Sequence, residues 1–181
     1  MAVDLNRLES RVERAYEKGR LRHAIAVSAP VLLLGALVLF VDRRPVVVFG
    51  LAGLLFATEA LFVWRGQQLG RGALAGLAGG AIPLVFGLCM HVYGLLCGSM
   101  LGGAICTAVC TAGGVLAGLW IAWVAHRQPS RLAFAAAAGA TAALMGAIGC
   151  ACAGLAGVIG LLAGIAVPIA AERIQRAAVR A

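Results

Sequence analysis

Apolar residues run along this chain in six long blocks separated by short polar breaks, at roughly 23–41, 46–64, 72–92, 101–124, 131–149 and 152–171. A helix needs about 20 apolar residues to cross the hydrocarbon core of a bilayer, and each block meets or nearly meets that length. The pattern predicts an all-α polytopic membrane protein, a bundle of six transmembrane helices joined by short loops. Residues 1–22 are the only substantial polar segment, with Leu5, Leu8, Val12 and Ala15/Tyr16 at helical spacing. They predict a short amphipathic helix with Asp4 or Asn6 as its cap, suited either to lipid headgroups or to a protein partner. The expected division is therefore an amphipathic helix over 1–22, a transmembrane domain over 23–171 and a basic tail over 172–181.

Breaks and small residues refine this picture. Pro30 lies inside the first block, where neighbouring helices can satisfy the carbonyl it frees. The turn Asp42-Arg43-Arg44-Pro45 is short enough to fold the first two blocks into an antiparallel hairpin. Gly72, Gly76 and Gly80, then Gly114/Gly118 and Gly160/Gly164, are four-residue rows that let helix backbones approach closely. Trp64, Trp120 and Trp123 sit at block ends and predict an interfacial aromatic belt. Glu59 is an acid within the second block, and pairing with Arg65 or hydration at the interface is the expected way to hold it.

Composition removes the soluble alternative, because the chain is 62% hydrophobic and 12% charged with a mean hydropathy of +0.99. The net charge of +8 does not point to direct nucleic-acid binding. Its basic residues are spread over the block ends instead of forming an aromatic-laced patch. Of the fifteen Lys and Arg residues, all but Arg43 and Arg44 fall in the N-terminal segment, the second and fourth loops and the C-terminal tail. The positive-inside rule then predicts cytoplasmic N and C termini. The first apolar block follows a 22-residue charged stretch and is long enough to remain in the membrane, so no cleavable signal peptide is expected.

That topology gathers the thiols. Cys89, Cys97, Cys106, Cys110, Cys150 and Cys152 all fall in or near the outer ends of the last four blocks. In an oxidising compartment they can pair as disulfide staples. Cys150 and Cys152 are too close for an easy mutual bridge, whereas pairs between the outer loops, or from Cys97 to a helix cysteine, are geometrically open. Alternatively the thiols, with His91 and with Met90, Met100 or Met145, form a soft-metal site for Zn or Cu. Cys106 and Cys110, four apart on one helix face, could converge on one ion. Reversible thiol oxidation is the third possibility.

Catalysis has little support in the sequence, since the outer loops hold no nucleophile with an evident base, and the chain is not expected to be an enzyme. A quinone-linked thiol oxidoreductase normally carries CxxC, and here the spacings are CxC and CxxxC. A small thiophilic-metal transporter would require soft ligands continuing across the bilayer, and the inner half offers only His23, His126 and the first methionine. A disulfide-stapled structural subunit of a larger complex is the remaining alternative.

The charged N-terminal segment, six spans with tiny loops and outer cysteines resemble the layout of the NrsF-like bacterial membrane regulators of sigma factors. That resemblance implies a bacterial inner-membrane protein whose outer face senses metal or oxidative stress and whose inner face holds a sigma factor. Here residues 1–22, with basic loops 65–71 and 126–131, would form the inner surface. Cys89, His91, Cys97, Cys106, Cys110, Cys150 and Cys152 would form the outer one.

Overall fold

A computed structural model describes residues 5–39, 45–92, 100–150 and 154–180. The described residues form six helices: α1 Leu5–Leu39, α2 Pro45–Arg65, α3 Gln67–Val92, α4 Met100–Ala125, α5 Arg131–Cys150 and α6 Gly154–Arg180. Five of them, α2 to α6, are long and apolar enough to cross a membrane. Many large side chains on their outer faces are exposed, among them Phe49, Val85, Leu116 and Leu155, as a bilayer solvent favours.

The N-terminal segment departs from expectation. Within the described residues, α1 runs unbroken through the anticipated boundary at residues 22 and 23. Nothing there stops a helix: Gly19 costs only about 1 kcal/mol relative to alanine, and Pro30 lies deeper, in the apolar part. At 35 residues the helix is about 52 Å long, well beyond a hydrocarbon core of about 30 Å. Residues 11–19 are exposed along this extension.

Sharp connections position the other helices. Gly66 adopts φ 72°, a left-handed conformation that closes α2 as its amide donates to the Phe62 carbonyl at 3.0 Å. Arg20 of α1 donates to the Trp64 carbonyl, capping the same helix end and tying the two helices of the hairpin together. Between α4 and α5, the amides of His126, Arg127 and Gln128 extend the last turn of α4.

The glycine rows set the packing register. A Cβ built on Gly72 would lie 2.5 Å from the Phe134 carbonyl oxygen, and one on Gly80 would lie 3.0 Å from that of Ala142. Gly76 meets Ala138 and Gly87 meets Gly149 in the same way. The numbering offset is constant along this series, so α3 and α5 are parallel neighbours. Likewise Gly114 meets Leu161 and Gly118 meets Ile165, with oxygens 2.5 and 2.7 Å from the built Cβ positions, making α4 and α6 parallel. Helices two apart in sequence therefore form the tightest pairs. Pro83, fully buried in α3, packs against Gly113 of α4 and Gly146 of α5. Dispersion across these close contacts replaces the hydrophobic effect that lipid-exposed helices lack.

Larger side chains fill the rest. One core unites Ile121, Phe134, Leu161 and Ile165 with buried alanines of α4 and α5. A second joins Val31, Val48 and Leu55 of the α1–α2 hairpin to Leu84, Met145 and Ile148. Glu59 corrects the sequence reading: it is fully buried, and neither carboxylate oxygen has a hydrogen-bond partner. Arg65, six residues on, projects about 240° around the helix axis and is exposed.

Candidate functional site at the cysteine end

Successive helices alternate in direction, so the C-terminal ends of α3 and α5 share one end of the bundle with the N-terminal ends of α4 and α6. Cys150 is the last residue of α5, and Cys110 lies on the half of α4 nearest that end. Their Cα atoms are 6.3 Å apart and their sulfurs are bonded. The bridge closes a sequence separation of 40 residues. It joins α4 of one glycine-packed pair to α5 of the other, across a seam whose backbones come less close.

This pairing differs from those expected from loop geometry, because it runs from a helix interior to a helix end. Antiparallel packing of α4 on α5 explains it. The register that sets Ile121 and Ala117 among Ala138 and Ala142 in one core brings residue 110 opposite residue 150. Cys150 is fully buried and Cys110 nearly so, which shields the bond from solvent. Cys106, one turn before Cys110, is also buried, whereas Cys89 near the end of α3 is an exposed free thiol.

Cys97 and Cys152 lie outside the described residues, as do the side chains of His91, Met90 and Met100. Met145 packs in the α3–α5 seam, its Cβ 2.9 Å from a Cβ built on Gly80, and serves as core. Among the described residues, no group of three or more His, Cys, Asp or Glu side chains is placed to hold a metal ion.

The opposite end is basic and aromatic. Arg127 stacks over Trp123 at 4.4 Å, and Trp123 lies 5.6 Å from Trp120. His126 Nδ1 approaches Glu172 Oε1 at 3.5 Å, linking the α4–α5 turn to α6. These rings and guanidinium groups suit a headgroup boundary. Ser28, to which the sequence pattern assigned nothing, is fully buried in α1 with an unpartnered hydroxyl.

No family model, curated protein or solved structure matches this chain.

Proposed function

We propose that the protein is a six-span membrane regulator, with both termini cytoplasmic, whose helix packing is set by the redox state of its outer thiols. What supports this is the Cys110–Cys150 bond, because it fastens together two helix pairs that are each tightly packed internally. Breaking it leaves each pair intact and releases their mutual alignment at the cysteine end. In the reductive direction, a dithiol donates two electrons and two protons. The bridge becomes two thiols while the reductant closes its own disulfide.

Two packings that differ in α4–α5 alignment present different arrangements of the His126–Arg131 turn at the basic end. A cytoplasmic protein partner, of the sigma-factor kind implied by the layout, reads that difference there and along the exposed residues 11–19 of α1. Redox state acts as a ligand must, by stabilising one packing more than the other.

Thiol mapping and hydrogen exchange on the full chain in lipid nanodiscs test the proposal. The Cys110 and Cys150 peptides are expected to be linked before reduction, and reductant should speed amide exchange at residues 126–133. Exchange at that turn unaltered by reduction would sink it. Elemental analysis of the same sample addresses the Zn or Cu alternative: near-stoichiometric metal with Cys110 and Cys150 both alkylatable would replace the redox reading with metal sensing.

A further inference from the structure

Four side-chain atoms among the described residues are buried without a hydrogen-bond partner: Ser28 Oγ, both carboxylate oxygens of Glu59 and Gln68 Oε1. All lie on α1, α2 and the start of α3, away from the cysteines. The hairpin register brings two of them together. Gly35 and Ala52 mark a close approach of α1 and α2, where a Cβ built on the glycine would lie 2.7 Å from that of Ala52. Ser28 lies seven residues before Gly35, and Glu59 lies seven after Ala52. Seven residues are about two helical turns, so both side chains return to the same seam at the same level. Both are fully buried.

We propose that Glu59 and Ser28 form an intramembrane proton site, with Glu59 carrying an exchangeable proton and Ser28 Oγ as its hydrogen-bonding companion. An ionised carboxylate here would be uncompensated. Placing an acid in a span costs about 2.5–3.5 kcal/mol at the bilayer centre, and leaving a buried charge unpaired adds to that. The helices packed against α2 supply no counter-charge at this level. Between His23 and Leu39 of α1, Arg71 and Cys89 of α3, and Arg131 and Cys150 of α5, the sequence has no charged or titratable residue. On α2 itself, Arg65 points away. The nearest cations sit at the basic end, about 9 Å along the axis from Glu59.

A metal cation fits the site poorly, since hard cations demand about six oxygen ligands and Glu59 with Ser28 offers three side-chain oxygens. A proton needs only one acceptor and a companion. The hydroxyls of Thr58, Thr111 and Thr141 are committed to carbonyls one turn back, at 2.7, 2.8 and 2.9 Å. Ser28 makes no such bond, which leaves its hydroxyl available to Glu59 by a rotamer change or through one bridging water. Gln68, on the first turn of α3, lies at the basic end, the side from which protons would enter.

Difference infrared spectroscopy of the full chain in bilayers, wild type against Glu59→Gln and Ser28→Ala, tests the site. At neutral pH the wild type should show a protonated-carboxyl carbonyl band that is lost in Glu59→Gln and displaced in Ser28→Ala. The band should shift on transfer to heavy water and give way to a carboxylate band as the pH is raised. Absence of the band at every pH tested would overturn the proposal by showing an ionised Glu59. A band indifferent to both pH and heavy water would also overturn it, by showing a locked structural proton. Because Cys110 and Cys150 are untouched in these variants, the outcome is independent of the redox proposal.

Discussion

The α3–α6 bundle and the α1–α2 hairpin exclude lipid from their interiors by opposite means. In the bundle, glycines remove side chains so that backbones meet, and Gly72, Gly76 and Gly80 run against the carbonyls of α5 with almost no space to spare. In the hairpin, Val31, Val48 and Leu55 hold the helices together, and Gly35 makes the close contact with Ala52. Gly50 and Gly53 of α2 face open space. Backbone contact admits only small polar side chains that bond their own helix, as Thr111 and Thr141 do, and it fixes register strictly. Side-chain packing is looser, and it is in the hairpin that the unpartnered Ser28 and Glu59 are found. The cysteine bond belongs to the first region and the buried acid to the second, so each carries a chemistry its packing tolerates.

Substitutions can break this contrast. The largest effect is expected for Gly76→Val in α3, which drives a side chain into the Ala138 backbone and Thr141. It should cost about 3 kcal/mol in unfolding free energy measured in detergent micelles, while Gly53→Val, facing open space, stays within about 0.5 kcal/mol. Equal effects at the two positions would refute the distinction. Cys110→Ser comes next. Opening a bridge over a 40-residue separation should cost about 2 kcal/mol, and adding reductant to the variant should then change nothing further at this bond. A smaller loss is expected for Leu55→Ala in the hairpin, at about 1–2 kcal/mol, because lipid is as apolar as leucine and mainly packing is lost. A Leu55→Ala loss as large as that of Gly76→Val would mean that the hairpin is as strictly packed as the bundle.

Helix positions and close-packing faces were legible in the sequence because both depend on local composition: runs of apolar residues for the helices, four-residue glycine spacing for the contacts. Partner choice was not. That α3 pairs with α5 and α4 with α6 follows from the three-dimensional fit of glycine faces to specific carbonyls, and spacing alone carries no label for its partner. The disulfide depends on that same register, which is why Cys110 could not be matched to Cys150 beforehand. Glu59 was misjudged for a simpler reason. Its separation from Arg65 turns the two side chains to different faces, a conflict the helical period already contained. The continuous α1 was missed because a change from polar to apolar residues marks a change of surroundings and need not mark a helix end.

The pairing of alternate helices also governs assembly during synthesis. Gly72 waits for Phe134, 62 residues later in the chain, before its contact can form. At about 5–20 residues per second, that delay is about 3–12 s. Throughout it the glycine face of α3 is open in the membrane, available to any other small-residue helix nearby. The α3–α4 hairpin can insert early, but the tight pairs close only when α5 and α6 arrive, and Cys110 gains its bonding partner at that same late moment.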